Sequence, residues 1–269
     1  MPHILITGAA SGFGAALTAT YVEKGWQVTA TDINKQQLDA NWPELPANLH
    51  LYQHDVSDWS QWESLLAELR KHEPLPEVLI NNAGLVASDP VEAINPVDVD
   101  RLFDVNSKGV VFGTRIAAGW MLETGKGHII NIASLAGVAP IPGLALYGAS
   151  KFAVRGFSLT AAAELAPKGI AVTCICPDGA DTPMVEGIAA KDSANMIFSG
   201  GSLLQAGDVL KAVDKAIRRK PKEILIPGTR GFTARLANFW PGLSDLVLGM
   251  LWKKGGRERK SYVDQKGLS

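Results

Sequence analysis

Tyr147 and Lys151 stand four residues apart in Tyr147-Gly148-Ala149-Ser150-Lys151, and Ser134 lies thirteen residues before Tyr147. Residues four apart share a helix face, so on a helix the phenol and the ammonium reach into the same space. A phenol in water has a pKa near ~10 and transfers protons poorly at neutral pH. A nearby ammonium favours the phenolate and is expected to lower that pKa. This suits an acid–base group working near neutrality. A serine hydroxyl close by can donate to, or accept from, the same substrate oxygen. Tyr-x-x-x-Lys arises by chance in many helices, so its meaning rests on the segments that position it.

The chain opens on the apolar run His3-Ile4-Leu5-Ile6-Thr7, read as a buried strand. It runs into Gly8-Ala9-Ala10-Ser11-Gly12-Phe13-Gly14 and then a helical stretch, Ala15 to Lys24, stopped by Gly25. Strand, glycine-rich turn and helix make the first half of a dinucleotide-binding βαβ unit. Glycines let the chain turn sharply and let a pyrophosphate approach the backbone without a Cβ in the way. The helix start offers free N–H groups and the positive end of its dipole. A second strand, Gln27 to Thr31, ends in Asp32, 18 residues after Gly14. That is close to the ~20 expected for an acid on the adenosine ribose hydroxyls. A carboxylate there repels a 2′-phosphate, and Ile33 and Asn34 offer no cation to receive one, which points to NAD rather than NADP. The plainer role for Asp32 is to cap the next helix.

With these segments in hand, the chain resembles the short-chain dehydrogenase/reductase family over roughly residues 3–227. Gly8, Gly12 and Gly14 match the family's Thr-Gly-x-x-x-Gly-x-Gly loop. Asp55-Val56 matches its adenine-contacting Asp, and Asn81-Asn82-Ala83-Gly84 its Asn-Asn-Ala-Gly segment. The resemblance implies that Asn106 holds a water on a proton-relay path, and that Ser134, Tyr147 and Lys151 are the catalytic Ser, Tyr and Lys. Pro177 and Thr182 match residues flanking the nicotinamide carboxamide. By position in these motifs it also assigns Ser11, Phe13, Ile33, Ala83, Gly84 and Ala180 to cofactor contacts. Tyr147 would exchange a proton with the substrate oxygen. Lys151 would lower the Tyr147 pKa and bind the nicotinamide ribose, and Ser134 would orient the substrate oxygen. One departure stands out: where the family has Gly after that Pro, this chain has Asp178, with Gly179 next. Asp can take the same backbone angles, change the carboxamide contact, or bring a charge to the substrate, and the residues alone do not choose.

At 269 residues the chain suits one α/β domain with a full core. A formal net charge of -1 gives no global electrostatic case for nucleic-acid binding. Cys174 and Cys176, the only cysteines, alternate on one strand and are read as core. The histidines, His3, His50, His54, His72 and His128, show no metal-ligand spacing, so no metal is expected. A strand begins within three residues of Met1, which leaves no room for a signal peptide. The cytoplasm is the expected location, with peripheral membrane contact through the tail as the variant.

Strands and helices alternate along the chain. Strands are expected at 3–7, 27–31, 49–54, 78–80, 128–133, 169–176 and 223–226, and helices at 34–40, 57–72, 96–124, 146–166 and 207–219. The pattern predicts a doubly wound, Rossmann-type α/β fold: a seven-stranded parallel sheet with helices on both faces, in a single domain. Residues 1–230 would hold the NAD-binding and catalytic unit, with a substrate-loop insertion at about 183–204, and 231–269 a C-terminal extension.

The two segments flanking the substrate, 135–146 and 183–204, are apolar, and their only basic residue is Lys191. This disfavours an anionic substrate needing an arginine clamp and favours a lipophilic secondary alcohol or ketone, steroid-, retinoid- or long-chain-like. The alternatives are a reductase of 3-oxoacyl thioesters and, from another class, a non-catalytic NAD-binding redox sensor. The latter would be expected to have lost Tyr147 or Lys151. The chain runs 43 residues past Ile226, through Phe232, Leu236, Phe239, Trp240, Leu243, Leu246, Val247, Leu248, Met250, Leu251 and Trp252 into the basic run 253–260, net +4. The apolar part is too short to span a membrane. It can lie on an anionic bilayer; the favoured expectation is a helix over the substrate mouth or a neighbouring subunit, then a solvated tail. A homodimer is expected through the helix before the fifth strand and the catalytic helix, with a tetramer as the larger form.

Overall fold

Seven short aliphatic and β-branched runs pair into one parallel sheet in this computed structural model, which describes residues 1–71, 74–239 and 241–268. In chain order the elements are β1 (His3–Thr7), α1 (Gly12–Glu23), β2 (Gln27–Asp32), α2 (Lys35–Ala40), β3 (Leu49–Gln53), α3 (Trp59–Leu69), β4 (Val78–Asn81), α4 (Pro96–Phe103) and α5 (Gly109–Thr124). They continue with β5 (Gly127–Ile132), α6 (Ala145–Leu165), β6 (Ile170–Pro177), α7 (Pro183–Glu186), α8 (Ala206–Arg219), β7 (Glu223–Ile226), α9 (Gly228–Phe239) and α10 (Pro241–Lys266). The strand order is β3-β2-β1-β4-β5-β6-β7, with every pair parallel. The order reverses between β1 and β4, and a ligand crevice opens beyond the strands' carboxyl ends at such a point.

Alternation along each strand sends side chains to opposite faces. Ile4 and Ile6 of β1 pack with Leu17 and Tyr21 of α1 and Val209 and Val213 of α8. Leu5 packs on the other face with Trp62 of α3 and Ile116 and Trp120 of α5. The doubly wound, seven-stranded parallel sheet with helices on both faces is therefore the observed architecture. Cys174 and Cys176 share one face of β6, fully buried, with sulfurs 3.7 Å apart.

Three expectations change in detail. The single helix over 96–124 is broken by a π-helical turn, Asp104–Lys108, between α4 and α5. The helix expected in the apolar tail is α10, and it runs on to Lys266, well past the apolar part. The basic run 253–260 is no solvated tail but lies within α10, whose Arg259 is 4% exposed. His72 and Trp240 lie outside the described residues, as do the side chains of Leu243, Leu246 and Val247. Among the described residues no helix is long and apolar enough to cross a membrane.

Between β6 and α8 the chain makes an excursion pinned at its base by Asp181 N–H to Leu204 O and Leu204 N–H to Gly179 O, both 2.9 Å. It holds α7 and a 3-10 run, Asp192–Gly200. The last helix clamps this excursion. Arg259 donates to the carbonyls of Ala189 and Ala190 (2.8 and 3.0 Å), to Asn195 Oδ1 (2.7 Å) and to Asp192. Tyr262 donates to Asp181 at 2.6 Å, and Lys266 pairs with Glu186 at 2.9 Å. A Cβ on Gly255 would overlap the Asn195 carbonyl, so the backbones meet only because that residue is glycine.

Asp192 is well exposed, so its charge adds little, and the weight falls on the buried carbonyls and Asn195. Replacing Arg259 with Met strands those acceptors. Arg259→Met is expected to lower the unfolding free energy by about 1–3 kcal/mol in a denaturant titration and to open residues 187–204 to protease. Unchanged stability and protection would show that α10 does not hold the excursion.

Candidate active site

The glycine turn is built for backbone crowding. Gly8 and Gly12 have φ of 67° and 53°, the left-handed region that glycine enters freely. A Cβ on Gly14 would overlap the Gly8 carbonyl, and one on Gly8 would sit 2.7 Å from Ala83 Cα. Asn82 locks the turn from β4, its Nδ2 donating to the carbonyls of Thr7 and Gly8 at 2.9 and 3.0 Å. Thr7 Oγ1 in turn accepts from the N–H groups of Asn82 and Ala83. Ser11 precedes α1 without a side-chain cap, and the first turn of α1 carries no acid. Helix-start N–H groups are thus left for an outside acceptor, as a dinucleotide pyrophosphate requires.

At the end of β2, Asp32 accepts from Ala10 N–H and Asn34 N–H, one on each oxygen, both at 2.9 Å. Asp55 is held by Ser57, whose N–H and hydroxyl both donate to Oδ1. These acids share with Gly8, Ser11, Gly12, Phe13, Ile33 and Val56 a cleft of about 570 Å³. Asn82, Ala83 and Gly84 line its middle; Ser134, Tyr147, Lys151, Pro177, Ala180 and Thr182 line its other half. Gly14 and Asn106 stand behind the wall. The residues present therefore fit an extended dinucleotide: uncapped helix-start N–H groups at the glycine turn, an acid at the end of β2, and polar groups at the far end. Among the described residues no group of three or more His, Cys, Asp or Glu side chains is placed to hold a metal ion.

Ser134 lies just past β5, with Oγ accepting from Ala136 N–H at 3.1 Å and donating to Pro177 O at 3.4 Å. Tyr147 and Lys151 project from one face of α6, with Lys151 Nζ 5.8 Å from the Tyr147 ring centre and donating to Ile132 O at 3.1 Å. Asn106, fully buried in the π turn, holds Leu85 through both its N–H (2.7 Å) and its carbonyl (2.9 Å). Its Nδ2 also donates to Ser150 Oγ at 3.0 Å, which donates to the Tyr147 carbonyl at 2.7 Å. The π turn thus joins α6 to the segment after β4. A Cβ on Gly84 would stand 3.3 Å from Asn106 Oδ1 and 3.4 Å from Lys151 Nζ, so that glycine leaves the two polar groups facing one space.

The expected lowering of the Tyr147 pKa is not what this geometry produces. Burial pushes Tyr147 up to about 12, with a hydrogen bond to Ser134 drawing it back. Burial also brings Lys151 down from 10.5 to about 8. The ammonium donates to the Ile132 carbonyl and stands 5.8 Å from the ring centre, and desolvation is the larger influence on the phenol.

Apolar side chains line the substrate side, among them Leu85, Val86, Ile141, Met184, Met196 and Ile197. Leu248 and Leu251 of α10 line it too, so α10 forms part of the cleft wall on this side. The two flanking segments carry no arginine, but Arg230 and Arg101 both line the cleft. They come from α9 and α4, outside the two segments flanking the substrate. Arg230 lies in the first turn after β7, and the rule that ligands meet strand carboxyl ends pointed there. Nothing local marked Arg101, whereas Leu248 and Leu251 belong to the apolar tail expected to form a helix on this side.

Fold and site together define a Rossmann-type oxidoreductase that binds a nicotinamide dinucleotide. A short chain dehydrogenase family model matches residues 2–193. The chain belongs to that family. It is 38% identical over 175 residues to the NADP-dependent 3-hydroxy acid dehydrogenase YdfG of Escherichia coli K12, covering 65% of this chain and 71% of the relative. It is 35% identical over 190 residues to the 3-oxoacyl-[acyl-carrier-protein] reductase FabG of Thermotoga maritima, covering 70% and 77%. Among solved structures it resembles 4-hydroxyisoleucine dehydrogenase complexed with NADH, at 27% identity and a TM-score of 0.71, covering 84% of this chain and 96% of the other.

Charging a buried lysine opposes folding. Lys151 titrates near 8 when folded and near 10.5 when unfolded. Between those values the unfolded chain binds more protons, so stability rises with pH. Below about pH 8 the burden is complete; above 10.5 it is gone. Each pKa unit is worth ~1.4 kcal/mol, so Lys151→Met is expected to stabilise the protein at pH 7 by up to about 3 kcal/mol while removing turnover. The gain should shrink from pH 8 to 10.5. A variant less stable than wild type at pH 7 would contradict the burial argument.

Proposed function

We propose that this chain transfers hydride between NAD(H) and an uncharged, largely apolar secondary alcohol or ketone. The observation that carries this reading is the convergence of Ser134, Tyr147 and Lys151 on the apolar half of the cleft. When bound, the cofactor supplies the hydride donor or acceptor. Tyr147, kept protonated at neutral pH by burial, donates to a ketone oxygen in reduction; in oxidation its own proton must first leave toward solvent, and the phenolate then takes the hydroxyl proton. Ser134 fixes the same oxygen and stabilises developing negative charge. A protonated Lys151 favours the phenolate when the proton leaves. Asn106 and Gly84 border the route by which a proton returns to solvent. Residues 1–230 carry these groups, and 231–269 cover the substrate.

NAD preference rests on Asp32, whose carboxylate is held at the ribose position by two N–H groups. The nearest following cation, Lys35, is paired with Asp39 at 2.5 Å. The Escherichia coli relative is described as NADP-dependent, so both cofactors belong in the test. The FabG relative supports a second reading, reduction of 3-oxoacyl thioesters. A homodimer through α4, α5 and α6 is supported by exposed Phe103, Val111 and Leu122 on α4 and α5. Sedimentation velocity should give twice the chain mass; the mass of one chain would refute the dimer.

The deciding experiment is NAD and NADP reduction across secondary alcohols graded in bulk and polarity, with 3-oxoacyl thioester reduction alongside and Tyr147→Phe as control. Expected are turnover of bulky apolar alcohols, preference for NAD, and a loss of about 10²–10⁴-fold in Tyr147→Phe. Turnover confined to small or acidic alcohols would sink the lipophilic reading. Preferred thioester reduction would move the function to the second one.

A further inference from the structure

Asp178 and Arg230 are 52 residues apart in sequence and adjacent in space. Parallel pairing of β6 with β7 sets Pro177 beside Ile226, and Asp178 N–H donates to Ile226 O at 2.8 Å. Asp178 thus leaves β6 where the chain beyond β7 turns into α9, and Arg230 sits in that first turn. Their side chains form an ion pair inside the cleft, with Asp178 Oδ2 against Arg230 Nε. Ser134 donates to the carbonyl of Pro177, so the pair begins one residue from the atom that positions the catalytic serine. Gly200 leaves space for the guanidinium: a Cβ there would lie 3.1–3.2 Å from Cζ, Nε and Nη1.

The guanidinium is not saturated by the protein. Its Nε lies against Asp178 Oδ2 without hydrogen-bond alignment, so that contact is ionic. Its Nη2 reaches Asp178 Oδ1 and Ser199 Oγ only at 3.5 and 3.4 Å. With the Arg230 side chain 31% exposed and Nη2 bonded only at long range, the guanidinium can still take an acceptor from a ligand in the cleft. The pair as a whole is neutral. A ligand carboxylate would meet Arg230 but would also meet Asp178 in a poorly hydrated cleft, and like charges in such a place repel strongly.

We propose that Arg230 and Asp178 together read a second, uncharged oxygen on the substrate, a hydroxyl or carbonyl remote from the reacting carbon, and that Asp178 discriminates against carboxylates. Arg230 donates to that oxygen; where it is a hydroxyl, Asp178 accepts a hydrogen bond from it. This deepens the alcohol–ketone reading and rests on it for the position of the reacting carbon. It also gives a physical role to the acid that stands where the family has glycine: it turns a cation that would hold an acid into a dipolar anchor.

The test uses medium-chain 2-ketones of graded length, each ending in a methyl, a hydroxyl or a carboxylate. Two quantities are measured: kcat/KM with NADH, and Kd by calorimetry on NADH-saturated Tyr147→Phe, where no turnover intervenes. In wild type the hydroxyl-ended ketone is expected to be preferred over the methyl-ended one by about tenfold, near one buried hydrogen bond, and the carboxylate-ended one to be last. Asp178→Asn should raise the carboxylate-to-methyl ratio at least about tenfold. Arg230→Met should collapse the hydroxyl-to-methyl ratio. The double variant Asp178→Asn/Arg230→Met, which leaves no unpaired charge, should show neither preference. Parallel changes for all three ketones would overturn the proposal and leave the pair a structural brace. The predicted order of Kd values without turnover would support the anchor while refuting the alcohol–ketone reaction.

Discussion

The site depends first on one close approach of backbone to backbone. The Gly8 carbonyl occupies the place a Gly14 side chain would take, while Gly8 itself presses on Ala83. This brings β1, α1 and the segment after β4 together at the one point where the strand order reverses. Asn82 then ties the turn down through two carbonyls. A second approach of the same kind sets the other half: a Cβ on Gly137 would lie 2.5 Å from the Lys151 carbonyl, so the loop carrying Ser134 rests directly on α6. The glycine turn and α6 are therefore fixed by steric facts rather than by hydrogen bonds alone. The glycines at these contacts are irreplaceable for reasons of space.

On that frame the chemistry is placed at a stability disadvantage. Lys151 and Tyr147 are held where water is scarce, and each is driven toward its neutral form. A surface lysine would keep its charge at no expense, but a hydrated one would do little to a phenol's proton affinity. The surrounding structure supplies compensation through Asn106, which satisfies Leu85 and Ser150 at once and needs the π turn to reach both. The interruption of a regular helix is thus tied to the site and not to a local weakness in helix propensity.

Much of this was legible in the sequence because it is local. The glycine spacing, Asp32 at the end of its strand and the Tyr147–Lys151 interval each encode geometry within a few residues. The alternation of elements then leaves few ways to build the sheet. What could not be read depends on contacts between distant segments. The π turn conserves helical periodicity on both sides and leaves no mark in the pattern. The basic run 253–260 looks like a solvated tail until Arg259 is seen inserted among the carbonyls of 189–190. Arg230 was overlooked because the apolar segments flanking the substrate were read without the helix beyond the last strand.

The pairing of Asp178 with Arg230 shows how a sheet converts one substitution into a property of a site. Parallel neighbours end side by side, so a residue added just past one strand faces whatever begins past the next. An acid after β6 alone would be a buried charge without a partner, and an arginine after β7 alone would be a cation open to any anion. Each is tolerable in an apolar cleft because the other is there. A neutral pair with donors left over suits a substrate that is apolar along its length and polar at a second point. The same arrangement explains how a cleft lined by Ile141, Met196 and Leu251 holds an arginine without becoming an acid-binding site.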